Sequence, residues 1–163
     1  MGSLVLFVCT GNTCRSPMAE ALLRIALPTS SPWTTASAGL SACPGCRASE
    51  AAISAIDEIG GDLRGHRSQP VSTQLVQAAA AIVVMTGAHA QQLIARYPAA
   101  RDKLFLMRSF DPEAPAESNV SDPFCGTLDE YRQCRDTLRK AIPGLVRFLV
   151  QSAPRPLSDG EER

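Results

Sequence analysis

Short runs of continuous apolar residues alternate along the chain with segments whose apolar positions recur every three or four residues. That alternation predicts βαβ units around a parallel sheet. The run Leu4–Val8 is apolar at every position and reads as a first strand covered on both faces. Met18, Ala21, Leu22 and Ile25 then fall at i, i+3, i+4 and i+7. This spacing predicts an amphipathic helix with Pro17 at its first position and an end near Leu27, before Pro28. Trp33–Ala38 is expected as a second strand, ending at Gly39. Ser49 is placed to cap a helix carrying Ile53, Ile56 and Ile59, with Gly60-Gly61 as its stop. Ser72 should cap a shorter helix through Leu75 and Val76. Ala80–Met85 predicts a third strand, Ala88–Arg96 the helix behind it, closed by Pro98, and Lys103–Met107 a fourth strand.

Between Arg108 and Gly126 the chain is rich in Pro, Asp, Glu and Ser. Loops that long inside a domain tend to be functional. Thr127-Leu128-Asp129-Glu130 has the pattern of a capping box and opens a last helix, with Leu138, Ile142, Leu145, Phe148 and Leu149 on its core side. Pro143 is expected to kink or briefly break that helix. From 153 onward a disordered tail is expected, leaving 1–152 as one domain. The fold class expected is α/β: a four-stranded, parallel, twisted, doubly wound sheet with helices on both faces.

Composition narrows the function classes without altering that fold. The 163 residues are 45% apolar, and no apolar run approaches the roughly 20 residues that cross a bilayer. A basic segment leading into an apolar one is missing at the N-terminus, and Leu6 stands where a myristoylation motif needs Ser or Thr. Sixteen basic residues balance sixteen acidic ones, which gives no footprint for nucleic acid or an anionic membrane. Six cysteines with no export signal point to a reducing cytoplasm rather than a disulfide framework. The chain is expected to act there as a monomer.

Candidate chemistry gathers where the first strand ends. Ligands of doubly wound sheets bind beyond the carboxyl ends of the strands, and Cys9 to Arg15 occupies that place. Backbone N–H groups of the tight loop Thr10, Gly11, Asn12, Thr13, Cys14, with the start of the following helix, make an anion cradle. Arg15 adds a planar fork that matches two phosphate oxygens. Such a setting favours a cysteine's thiolate, the nucleophilic form, and Ser16 is placed to donate to it. Gly11 permits close backbone approach, and Asn12 tolerates a left-handed conformation. The competing account makes Cys9 an inert buried thiol and Arg15 a surface cation. A nucleotide-binding P-loop fits poorly, because GNTCRS lacks its second glycine and its Lys-Ser/Thr pair. Attack by Cys9 also needs a leaving group that departs protonated, and Asp122, ahead of Pro123 in the long loop, is suited to supply the proton.

The segment VCTGNTCRSPMAE strongly resembles the signature of the low-molecular-weight protein tyrosine phosphatases. The resemblance continues through Ser37-Ala38-Gly39, His66-Arg67-Ser68-Gln69-Pro70-Val71-Ser72 and Asp122-Pro123-Phe124, in order, up to the tail. It implies a four-stranded parallel sheet in flavodoxin-like order, and a metal- and cofactor-independent phosphatase working through a phosphocysteine on phosphorylated protein substrates. It assigns Asp122 as acid and then base, gives Ser37 and His66 a supporting part near Asn12, and implies a reversible Cys9–Cys14 disulfide under oxidants.

Within the family, the residue before the second loop cysteine separates tyrosine phosphatases, with a larger aliphatic residue, from a bacterial protein-arginine-phosphatase subgroup. Thr13 and the run DPFCGTLDEY resemble the arginine subgroup. A small hydroxyl side chain leaves room for a broad guanidinium and can orient water, while Phe124 could stack on that guanidinium and Asp122 pair with it. Phosphoarginine is therefore the expected substrate and phosphotyrosine the alternative. Thr13 as an ordinary loop residue is the plain reading. Cys43-Pro44-Gly45-Cys46 departs from the family. One CxxC does not fill a structural zinc site, and a pocket-side loop of incidental or redox cysteines is expected, with a thiol-redox or metal-binding module as the other class of function. An arsenate reductase would need cysteines near Met85-Thr86-Gly87-Ala88-His89, where none stands. His89 is expected on a helix surface, and Cys134 and Tyr131 in the last helix, with Tyr131 able to flank the pocket.

Overall fold

The first apolar run forms the central strand of the sheet, and its alternate side chains enter two different cores. The computed structural model describes residues 2–152. Four parallel strands, β1 (Ser3–Cys9), β2 (Trp33–Gly39), β3 (Ala79–Val84) and β4 (Leu104–Leu106), lie in the order β2-β1-β3-β4. This is the flavodoxin-like arrangement. Val5, Phe7 and Cys9 face a core closed by α1 (Arg15–Ala26), α2 (Glu50–Asp57) and α5 (Leu128–Ser152). Leu6 and Val8 face the other, closed by α3 (Thr73–Ala78) and α4 (Gly87–Arg96). Cover on both faces is why β1 can be apolar from Leu4 to Val8. The tail expected from 153 onward lies outside the described residues.

Several local expectations meet their physical counterparts. The Ser72 hydroxyl accepts from the Leu75 N–H and caps α3, and Thr127 and Glu130 exchange the two hydrogen bonds of a capping box. Others are corrected. Pro17 sits at the third position of α1, still within the first turn, where its missing N–H has no intrahelical partner to lose. Ser49 precedes α2 without capping it, because its hydroxyl donates instead to the Thr13 carbonyl. Lys103 ends a 3-10 turn (Pro98–Lys103) rather than opening β4, and its Nζ donates to the carbonyls of Val76 and Ala79, each at 2.6 Å.

The break expected at Pro143 does not occur, and α5 runs unbroken through it. Pro143 and Arg139, whose carbonyl loses its partner, are both exposed, so the missing N–H falls on the solvent-facing side of the helix. The next residue matters more. A Cβ on Gly144 would lie 2.1 Å from the Phe110 carbonyl oxygen, so glycine lets α5 rest directly on the 3-10 turn Met107–Phe110. That contact seats the helix carrying Tyr131 and Cys134 behind the loop that follows β1.

Candidate active site

β1 ends on Cys9, and the chain turns through 10–14 into the first turn of α1. The carbonyls of Cys9 and Thr10 accept from the N–H groups of Leu40 and Ser41, both at 2.9 Å, which ties the loop to the end of β2. A Cβ on Gly39 would stand 2.5 Å from the Thr10 carbonyl oxygen and 3.0 Å from the Asn12 nitrogen. Only glycine admits so close an approach, a reason for Gly39 that its place at a strand end does not disclose.

Asn12 holds the loop from within. It is fully buried, with φ at 56° in the left-handed region. Its Nδ2 donates to the hydroxyls of Ser16 and Ser37 at 2.9 Å each, and its Oδ1 accepts from the Gln69 N–H at 3.0 Å. His66 Nε2 donates to its carbonyl at 2.7 Å, and Ser37 in turn donates to Glu20 at 2.7 Å. Because Asn12 donates to Ser16, the Ser16 hydrogen is free for the Cys9 sulfur, 2.9 Å away. The Asn12 N–H points at the same sulfur from 3.3 Å. Two donors thus converge on Cys9.

Arg15 is only 5% exposed. One terminal nitrogen donates to the Val120 carbonyl at 3.0 Å, and the other lies 3.4 Å from Asp122. The Val120 N–H returns to the Met85 carbonyl, and Asn119 accepts from the Gly87 N–H, so the long loop is hooked to the end of β3 and the start of α4. Its side chain half exposed, Asp122 faces the cavity with Oδ1 on the Phe124 N–H. Asp111, the other Asp-Pro of this loop, is buried and accepts from the Glu113 N–H, as a turn requires. A cavity of about 180 Å³ is enclosed by Cys9, residues 10–14, Arg15, Asp122 and the exposed Phe124. Gly11 lines it, with open space where a Cβ would stand except for Thr13 Oγ1 at 3.8 Å.

The remaining thiols divide sharply. Cys14 Sγ lies 3.1 Å from the Tyr131 hydroxyl and 3.4 Å from that of Ser49, so α5 and the start of α2 buttress the loop from behind. Burial and the Cys14 contact push the Tyr131 hydroxyl up to about 12. Burial likewise pushes the Cys134 thiol up to about 12, which leaves it inert. Cys43 and Cys46 are exposed in a turn with Gly45 at φ 82°, held to Ser68, and neither lines the cavity, contrary to the pocket-side placement expected. Among the described residues no group of three or more His, Cys, Asp or Glu is placed to hold a metal.

His89 is the clearest miss of the sequence reading. It is 5% exposed, not a surface residue, and its Nε2 lies 2.9 Å from the Thr10 hydroxyl. Burial, and then the nearby Arg15 guanidinium, lower it from 6.5 to about 4, against an opposing pull from Asp122. The unfolded chain therefore binds a proton there at a higher pH than the folded one, and stability must fall as pH drops from 6.5 through 4. The contribution lost is at most about 3 kcal/mol. Urea unfolding at pH 7, 5.5 and 4 should show a shallower decline for His89→Phe than for the unaltered protein. Equal slopes would contradict this.

A thiol and a guanidinium at the two ends of an amide-lined loop, faced by a carboxylate, define a cysteine-dependent phosphatase. The family described as low molecular weight phosphotyrosine protein phosphatase matches residues 4–154, and the chain belongs to that family. It is 37% identical over 146 residues to a protein-arginine-phosphatase of Bacillus subtilis, spanning 89% of this chain and 95% of that one. It is 41% identical over 142 residues to a probable low molecular weight protein-tyrosine-phosphatase, EpsP, of Ralstonia solanacearum, spanning 87% and 92%. The solved structure of a YwlE arginine phosphatase mutant with a phosphorylated active site serine superposes with a TM-score of 0.82 at 34% identity, covering 92% of this chain and 97% of that one. No helix among the described residues is long and apolar enough to cross a membrane.

Proposed function

We propose that the protein hydrolyses phosphoarginine in protein substrates, with Cys9 as nucleophile. The backbone of 10–14, Ser16 and Arg15 hold the phosphoryl oxygens. As the S–P bond forms and the P–N bond breaks, Asp122 passes its proton to the departing guanidine nitrogen. A water then attacks phosphorus, Asp122 takes the water's proton, and phosphate leaves as the Cys9 thiolate returns. No metal or cofactor enters this sequence.

The observation that carries the substrate choice is Thr13. It stands half-buried in the cavity wall, its hydroxyl 3.6 Å from Cys14 Sγ, while Ser49 holds its carbonyl. The wall there is short and hydroxylated, which suits a broad guanidinium, and Phe124 offers a face at the rim. Similarity to the Bacillus enzyme supports the same choice, whereas similarity to EpsP keeps phosphotyrosine as the second reading. Relative kcat/KM on a phosphoarginine and a phosphotyrosine peptide should favour the former at least tenfold. Thr13→Ile should reverse that preference by filling the wall. Equal or better activity of the unaltered protein on phosphotyrosine would overturn the assignment.

The balanced charge and free thiols support a cytoplasmic enzyme that works as a monomer, apart from nucleic acid and membranes. Cys9 and Cys14, in one loop, form a reversible disulfide under oxidants in this reading.

A further inference from the structure

The buried imidazole beside the phosphate loop has no part in the chemistry above, yet its placement is over-determined. Thr86 caps α4 by accepting from the His89 N–H at 3.1 Å, and the same first turn is tied to the long loop through Asn119. His89 Nε2 meets the Thr10 hydroxyl at 2.9 Å, and its Nδ1 is buried with no partner. Thr10 is exposed and lines the cavity directly after the nucleophile.

A neutral imidazole carries one N–H and one bare nitrogen, so two arrangements compete. If the Thr10 O–H donated to Nε2, the hydrogen would sit on Nδ1 as a buried donor with no acceptor. If Nε2–H donates to Thr10, the orphan is only a lone pair, the less costly defect. The second arrangement leaves the Thr10 hydrogen free, with one of the oxygen's two lone pairs engaged, so the hydroxyl can turn its proton toward the cavity it lines.

We infer that His89 is a positioning residue that holds the Thr10 hydroxyl as a side-chain donor to the bound phosphoryl group, adding to the backbone cradle and Arg15. This rests on the reading that the cavity binds a phosphoryl group, and not on which amino acid carries it.

The test is a double-mutant cycle of Thr10→Val and His89→Phe, read as affinity for inorganic phosphate and as kcat/KM. Each single change should weaken phosphate binding about ten- to a hundredfold, the worth of one hydrogen bond to an anion. The double variant should be no weaker than either. His89→Gln, whose amide nitrogen reaches as far as Nε2, should restore most of the loss. Losses that multiply in the double variant, a Thr10→Val protein that binds phosphate normally, or a glutamine variant as weak as the phenylalanine one would each overturn the inference. Should His89→Phe not fold, Thr10→Val and His89→Gln still decide it. Phosphate binding needs no turnover, so a wrong substrate assignment fails separately, in the comparison of phosphopeptides.

Discussion

A Cys9→Ser protein is expected to hold inorganic phosphate in the same loop while its turnover falls at least about 10⁴-fold. The loop does not depend on the sulfur for its shape. Gly39, Asn12, Ser37, His66 and Gln69 fix the backbone through contacts that do not involve the Cys9 sulfur. The amides and Arg15 proposed to bind the anion therefore remain. What is lost is the acceptor on which Ser16 and the Asn12 N–H converge, because a hydroxyl resists ionisation far more than a thiol and attacks phosphorus correspondingly slowly. Phosphate titration and single-turnover kinetics on the same preparation separate the two properties. Turnover within tenfold of the unaltered enzyme would show that phosphorus is attacked by some other group, and would end the phosphocysteine route.

The parts of this architecture that were legible are those written in local chemistry. Continuous apolar runs with periodic segments between them mark the sheet and its helices. Ser72 and the Thr127–Glu130 pair announce helix starts because capping needs those oxygens at those offsets. That Cys9, Arg15 and Ser16 come together is readable because a strand end and a helix start fall in one short stretch. The misses are contacts between distant segments. His89 sits on an ordinary amphipathic pattern, and nothing local reveals that its face meets Thr10 across the sheet's carboxyl edge. Tyr131 looks like a helix residue until α5 sets its hydroxyl on Cys14. Ser49 reads as a cap but is claimed by the Thr13 carbonyl. Pro143 suggests a break only while its exposure is unknown. Chemistry alone does not separate Asp122 from Asp111, since both precede proline in the long loop. In the fold, one is spent within a buried turn and the other faces Arg15.

That difference makes Asp122→Asn the sharper test of the long loop. The amide preserves the acceptor for the Phe124 N–H and the volume beside Arg15, so the loop stays hooked to β3 and α4 while the transferable proton is gone. General acid catalysis of this kind contributes about 10²–10⁴-fold, and kcat/KM on a phosphoarginine peptide should drop by that factor. An aryl phosphate whose phenolate leaves without help should suffer much less in the first step. It should then show a burst, because the same carboxylate is missing when water must be activated to release the phosphocysteine. Asp111→Asn should leave both substrates' kinetics near normal and act on stability instead, through its turn. A uniform loss for Asp122→Asn across good and poor leaving groups, or a matching loss from Asp111→Asn, would remove Asp122 from the proton-transfer role and leave it only a neighbour of Arg15.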